Sequence, residues 1–176
     1  KIRFNSQAIL TTSKTIIKDN PRFTVRKNNK IIKHLTTIII DNSLKIPLGS
    51  KLLKDINKKR VIIFTSKKNN KSKFLKKIGC EVFFVNKQVN NQLNLKTIFK
   101  KIYDLKINDI LVEAGGIFLS NLLKNDLVDE IHLFKAPIII GTSGKPLLIG
   151  KKLENIKYKE ILTKNFDRDI YKYLKI

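Results

Sequence analysis

The segment Val112-Glu113-Ala114-Gly115-Gly116-Ile117-Phe118-Leu119 carries one apolar run through a carboxylate and two glycines into another. A strand that ends this way and turns into a helix gathers a negative charge and several unpaired backbone N–H groups in one crevice, where open α/β sheets bind ligands. The glycines have two readings. They either permit a tight strand-to-helix connection, or they let a phosphate or pyrophosphate approach the backbone at the helix start. Their spacing is not the G-x-G-x-x-G of dinucleotide-binding turns. Glu113 in turn either caps the connection or, beside a ligand, accepts hydrogen bonds from a polar ring or sugar, because an ionised carboxylate offers only acceptors.

A second constellation is Thr15-Ile16-Ile17-Lys18-Asp19-Asn20-Pro21-Arg22-Phe23-Thr24-Val25-Arg26. A rigid proline turn flanked by Asp19 and Arg26 can present a carboxylate and a guanidinium to one cleft, the guanidinium suited to bidentate phosphate binding. The alternative is a surface loop with ordinary charges. Arg3 and Arg26 stand out because the chain uses 32 lysines and only 5 arginines, a distinction they share with Arg22, Arg60 and Arg168. Cys80 is the only cysteine, which excludes an intrachain disulfide and a cysteine-built metal cluster, and it reads as a small buried hydrophobe at a strand start. His34 and His132 read as satisfied structural histidines. No Ser-His-Asp, Cys-His or H-E-x-x-H arrangement can be proposed, so a reaction whose hard step comes from a cofactor fits this inventory.

The elements that must position these residues follow from periodicity. Gln7–Thr11, Leu35–Asp41, Arg60–Thr65, Cys80–Val85 and Asp109–Glu113 read as strands, three of them with the continuous apolar character of a sheet buried on both faces. Asn42-Ser43 opens a loop through Pro47 and Gly49. Ser72–Ile78, Leu95–Leu105 and Phe118–Leu127 have helical spacing, Leu95, Ile98, Phe99, Ile102 and Leu105 marking one face. Glu130–Lys135 alternates, and Ile156–Thr163 and Asp169–Lys175 can pair as an antiparallel ribbon. The expected fold is α/β, a mostly parallel mixed sheet flanked by helices with antiparallel C-terminal strands, in a single domain spanning 1–176. The Asn/Lys-rich stretches 67–73 and 86–94 read as surface loops.

The formal charge of +23 invites a nucleic-acid reading. Its lysines, however, are spread over nearly every loop and accompany 17 asparagines and 28 isoleucines, a bias of overall composition. No arginine-rich arm or aromatic-basic strand pair stands out. No specific nucleic-acid partner and no membrane association are expected, and attraction of anionic ligands is. The absence of a signal-peptide pattern and of a long apolar run leads to a cytoplasmic assignment. The chain has no methionine, so it is read as starting inside a longer product or after N-terminal removal.

Taken in order, Arg3, Ser6-Gln7-Ala8-Ile9-Leu10, Thr15 through Arg26, Ile40-Asp41-Asn42-Ser43, Val112-Glu113-Ala114-Gly115-Gly116, and Leu127-Val128-Asp129-Glu130-Ile131-His132-Leu133 leading to Ala136-Pro137 are a familiar set. The sequence resembles the reductase domain of the bacterial bifunctional riboflavin-biosynthesis deaminase-reductase, from one end of the chain to the other. That resemblance implies a dihydrofolate-reductase-like fold, NADPH as cofactor, a homodimer, and reduction of a phosphorylated ribosylaminopyrimidine, 5-amino-6-(5-phosphoribosylamino)uracil, to its ribityl product. By the same resemblance Arg3, Phe23, Arg26 and Glu113 match substrate-binding positions, the arginines near the ribose phosphate and Glu113 near the reacting end. Thr15, Asp19, Asn42, Ser43 and the run Gly115, Gly116, Ile117, Phe118, Leu119, Ser120 and Asn121 match cofactor-binding positions. Glu113 and Asp19 are the catalytic candidates, Asp19 as a cofactor-placing or proton-relaying group or as a loop anchor.

Two departures accompany the resemblance. Asp19-Asn20-Pro21 stands where the family has Asp-Asp-Pro, and the family's first strand with its Ser/Trp-containing stretch does not precede Arg3. The deaminase zinc motif is also absent, so a separate deaminase subunit is a candidate partner. The rival functions are reduction of the diaminopyrimidine ribosyl phosphate before deamination, a basic nucleotide- or nucleic-acid-binding module without catalysis, and a structural subunit supporting a deaminase.

Overall fold

A computed structural model describes residues 2–88, 91–141, 144–149 and 156–176. They form two units, Lys1–Ala114 and Gly115–Ile176. Within the first, β1 (Ala8–Thr12), β4 (Thr36–Ile40), β5 (Val61–Thr65), β6 (Glu81–Phe84) and β7 (Ile110–Val112) make one parallel sheet in the order β6-β5-β4-β1-β7. Register follows the apolar runs: Leu10 lies opposite Ile38 and Val112, and Ile38 opposite Ile62. Ile9, Ile39, Val61, Ile63 and Val82 join a core cluster on one face, while Leu10, Ile38, Ile62 and Phe64, also fully buried, alternate to the other. Burial on both faces is what a parallel sheet requires, and it accounts for the β-branched runs that marked these strands in the sequence.

Strand order makes β1 the centre of the site. From β1 the chain builds outward through β4, β5 and β6, then returns to β7 on the other side of β1. This reversal is a topological switch point, and the crevice outside the carboxyl ends of such strands is where ligands bind in open α/β sheets. Thr11 and Thr12, Asp41 to Ser43, and Glu113 all lie at those ends.

The helices expected around the sheet are present as α4 (Asn70–Lys77) and α5 (Leu95–Asp104), the latter burying Leu95, Ile98 and Ile102. α4 begins inside the Asn/Lys-rich stretch expected to be loop. Asn69 accepts the Ser72 N–H at 3.0 Å and the Ser72 hydroxyl receives the Asn69 N–H at 3.0 Å, a capping box that starts the helix before its apolar residues do. Of the loop expected over 86–94, residues 89 and 90 lie outside the described residues.

Other elements went unassigned from sequence. α1 (Ile2–Asn5) and α3 (Lys51–Lys54) are four-residue helices, too short to show a period, and α2 (Ser13–Asp19) is a seven-residue helix whose buried apolar side chain is Ile16. β2 (Thr24–Lys27) and β3 (Lys30–His34) form a hairpin around Asn28-Asn29, whose φ values of 48° and 62° suit a two-residue turn. The Asn-Asn pair was the available signal, masked by charged residues on both strands.

In the second unit, α6 (Gly116–Lys124) precedes β8 (Glu130–Lys135), β9 (Lys159–Phe166) and β10 (Asp169–Lys175). The expected C-terminal strands are antiparallel and form a sheet of their own, in the order β8-β10-β9. His132 stacks on Tyr173 at 5.1 Å between ring centroids, and its Nδ1 pairs with the Tyr171 hydroxyl at 2.7 Å, as a satisfied structural histidine should. His34 departs from that expectation. Its Nδ1 is buried without a hydrogen-bond partner, at the end of a hairpin strand whose neighbours Lys33 and Leu35 are occupied elsewhere or apolar. Cys80 is buried just before β6, and burial pushes its thiol up to about 11, as befits an inert packing residue.

Candidate functional site

At the switch point, the end of β7 is locked to β1. The Glu113 N–H donates to the Leu10 carbonyl at 2.9 Å, and the Thr11 hydroxyl donates to the Glu113 carbonyl at 2.7 Å. With its backbone held, the Glu113 carboxylate receives a parallel fork from Arg3, Nε to Oε1 and Nη2 to Oε2, each at 2.6 Å. The hydrogen bonds to Glu113 raise the Arg3 pKa further above its ordinary value. Thus the two candidates expected at opposite ends of a substrate meet in one planar ion pair, with 44% and 28% of their side-chain surfaces accessible.

Asp19 is the last residue of α2 and is exposed; Asn20 follows in the left-handed region at φ 42° and closes the helix through its N–H to the Ile16 carbonyl at 2.9 Å. Thr15, within α2, shares a hydrogen bond with the Thr12 hydroxyl at 3.3 Å. Phe23 has a left-handed backbone at φ 49°, and its ring is only 3% exposed within the core cluster. Arg26 is exposed on β2, beside the register shift between Val25 and Arg26. No ion pair joins it to Asp19 among the described residues.

The Asn42-Ser43 corner is shaped by Asp41, 1% exposed, whose carboxylate accepts the N–H groups of Lys45 at 2.8 Å and Ile46 at 2.7 Å. Asn42 is engaged on both sides: its amide donates to the Asn91 carbonyl at 2.8 Å, and its Oδ1 accepts the Ser66 hydroxyl at 2.8 Å. Ser43 is exposed. Because Asp41→Ala would strip the buried Ile46 N–H and the part-buried Lys45 N–H of their acceptor, it should lower the unfolding free energy by about 2 kcal/mol. Ser43→Ala should change it by less than about 0.5 kcal/mol. Denaturant titration of the two variants checks this contrast.

In the second unit Gly115 is the N-cap of α6 and offers no side-chain acceptor, leaving the helix's first N–H groups to other partners. A Cβ on Gly115 would meet nothing within 4 Å, whereas one on Gly116 would lie 2.5 Å from the Leu147 carbonyl oxygen and 2.9 Å from that of Pro146. Ile117 is exposed, and Phe118, Leu119 and Asn121 are half-buried. Ser120 is fully buried, with its hydroxyl accepting the Ile149 N–H at 2.8 Å, so this hydroxyl holds the 144–149 segment against α6.

Residues 1–172 match the model of the RibD C-terminal domain. The chain belongs to that family. RibD C-terminal domain relatives include the riboflavin biosynthesis protein RibD of Aquifex aeolicus, 33% identical over 99% of this chain and 48% of that protein. Another is the 5-amino-6-(5-phosphoribosylamino)uracil reductase of Buchnera aphidicola from Acyrthosiphon pisum, 30% identical over 92% of this chain and 83% of that protein. The chain thus spans about half of the Aquifex protein and most of the Buchnera one. Acinetobacter baumannii RibD shares the fold, with a TM-score of 0.81 at 24% identity, covering 99% of this chain and 48% of that one.

In this RibD C-terminal domain two residues outside the motifs contact Arg22. Asp55, 7% exposed, receives Arg22 Nη1 on both carboxylate oxygens at 2.8 and 2.7 Å, and Lys59 Nζ donates to the Arg22 carbonyl. Their one sequence signal is a single acid, Asp55, in the otherwise basic run Lys54-Asp55-Ile56-Asn57-Lys58-Lys59-Arg60 between α3 and β5. Burial outweighs the pull of Asp55 and, with repulsion from Arg22, brings the Lys59 pKa down from 10.5 to about 8. Between about pH 8 and 10.5 the unfolded chain therefore retains a proton the folded one has released, and unfolding free energy should rise with pH across that window. Lys59→Met should flatten this rise, as measured by denaturant titrations at its two ends.

Proposed function

We propose that this chain reduces 5-amino-6-(5-phosphoribosylamino)uracil to 5-amino-6-(5-phosphoribitylamino)uracil with NADPH. The observation that carries the reading is the Arg3–Glu113 fork at the carboxyl end of β7, beside the switch point of a chain matching the RibD C-terminal domain over 1–172. The named activity of the Buchnera relative supports it. When bound, NADPH would supply a hydride to C1 of the open, imine-like ribose, and a proton would complete the reduction to the ribityl amine. The uncapped glycine start of α6 suits a phosphate group of such a cofactor: the Phe118 N–H donates to the Gly115 carbonyl at 2.9 Å, and the N–H groups of Gly116 and Ile117 precede the intrahelical pattern.

The chain's own residues would then bind and orient. Arg3 and Arg26 are the guanidiniums assigned to the ribose phosphate, for which planar fork geometry is the advantage over lysine. Glu113, its backbone fixed by Leu10 and Thr11, holds an acceptor pair in a constant place for a sugar hydroxyl or ring N–H. Substrate entry exchanges one of its Arg3 hydrogen bonds for a bond to the ligand, so the pair stays charge-balanced while it rearranges. Asp19, exposed at the end of α2, is the residue we assign to a proton relay or a cofactor hydroxyl.

The test is substrate-dependent loss of NADPH absorbance, with the uracil and the diaminopyrimidine ribosyl phosphates compared and NADH as control. Turnover of the uracil compound with NADPH is expected. Preference for the diaminopyrimidine would move the reaction ahead of deamination, and salt-sensitive binding of either nucleotide without turnover would favour the binding-module reading.

We further propose a homodimer built through the second unit. All eight residues of β9 are exposed, Phe134 and Phe166 are more than half exposed, and Ile139 is 99% exposed. Such an apolar surface is costly for a monomer to leave in water. Sedimentation should give twice the chain mass for the wild type, and Phe134→Lys with Ile139→Lys should shift it to the monomer.

A further inference from the structure

The turn from Asn20 to Phe23 carries two left-handed residues, and nothing within its own four residues accounts for both. Asn20 adopts this conformation readily; Phe23, large and aromatic, keeps φ 49° only where its surroundings over-determine it. Phe23 itself packs in the core cluster, and the polar side-chain contacts on the rest of the turn come from one segment, 51–59, at four-residue spacing. The Lys51 N–H donates to Asn20 Oδ1 at 2.8 Å, Asp55 takes the Arg22 guanidinium at 2.7 Å, and Lys59 takes the Arg22 carbonyl. Arg22 is therefore held by its side chain and its backbone at once. Asp55 is the only acid of the segment, and being nearly buried between two cations it has few alternatives to this partner.

We propose that Asp55 and Lys59 are positioning residues: by holding Arg22 at guanidinium and carbonyl they fix the Asn20–Phe23 turn, and so place Asp19 on its one side and Arg26 on its other for the ligands of the reductase. The kinetic part of this inference rests on the proposed function; the backbone part does not. An ion pair that merely stabilised the fold would change the melting temperature and leave ligand affinity alone. A positioning pair changes affinity beyond what lost stability accounts for, because a displaced binding group weakens its bond without being removed.

The experiment uses the whole chain with Asp55→Asn, Lys59→Met, Lys59→Arg and, as a control that removes one buried core methyl, Ile63→Val. Amide hydrogen exchange over residues 20–26 should speed up at least about fivefold in Asp55→Asn and Lys59→Met relative to the sheet amides, and recover in Lys59→Arg, which keeps a donor for the Arg22 carbonyl. In turnover, Asp55→Asn should raise the KM about tenfold with a smaller change in kcat, and the effect of Asp19→Ala should shrink in the Asp55→Asn background. Ile63→Val should do neither. Unchanged exchange over 20–26 overturns the proposal, as does a KM within about twofold of an active wild type. If the wild type shows no turnover, the reductase reading fails by itself and the exchange measurement still decides the clamp.

Discussion

Glu113→Ala should lower kcat/KM for substrate-dependent NADPH oxidation by two to three orders of magnitude, about 3 to 4 kcal/mol of transition-state stabilisation. Two losses combine in this number. The substrate forfeits an acceptor pair whose backbone is held by Leu10 and Thr11, and Arg3 forfeits the carboxylate that now fixes its plane at 2.6 Å. The same substitution should cost only about 0 to 1 kcal/mol of stability, because an accessible ion pair is screened by water and holds two side chains at an entropic cost. A large kinetic and small thermodynamic effect is thus the signature to look for, with steady-state kinetics and thermal denaturation made on one preparation. If activity falls only in proportion to stability, Glu113 is a turn anchor and the fork is structural. Glu113→Gln separates the terms further, since it keeps the shape and one acceptor while leaving Arg3 without a counter-ion.

The two glycines should respond in opposite ways. Gly116→Ala places a methyl group 2.5 Å from the Leu147 carbonyl oxygen, and because the obstacle is backbone, the helix start or the 146–147 segment must move. A cost of about 1 to 3 kcal/mol in stability follows from such overpacking. Gly115 sits at φ −75° and ψ 160°, which any residue adopts, and a methyl there meets no neighbour. Gly115→Ala should therefore cost at most about 1 kcal/mol, the difference between glycine and alanine as an N-cap. If a cofactor phosphate approaches this helix start, however, the same methyl stands in its way, and the NADPH Kd should rise about tenfold. Fluorescence titration with NADPH distinguishes the outcomes. An unaltered Kd in Gly115→Ala would leave the glycine pair with a conformational role alone, Gly116 by close approach and Gly115 by default.

Strands β1, β4 and β5 and helix α5 were legible because each has a run of residues whose burial repeats with the period of its own backbone. Ile38-Ile39-Ile40 and Val61-Ile62-Ile63-Phe64 can hardly be anything but strands covered on both faces. The short helices α1, α2 and α3 and the charged β2–β3 hairpin lacked such a run, their stability coming from what they pack against. His34 shows the same limit, as an isolated polar residue whose partner, or lack of one, is a property of its surroundings.

The sequence by itself determined the α/β class, the order of the elements with a periodic apolar run and the identity of the residues at the strand ends, Asp41 to Ser43 and Glu113 among them, since all of these depend on interactions within a few residues. The tertiary structure decided who pairs with whom. Arg3 meets Glu113 across 110 positions, Arg22 meets Asp55 across 33, and Asn42 spends its side chain on Ser66 and Asn91. With 37 cationic side chains in the chain and 14 anionic ones, pattern alone could not select those pairs. The choice rests on the strand register that brings distant ends together and on burial that leaves a carboxylate such as Asp55 few other partners.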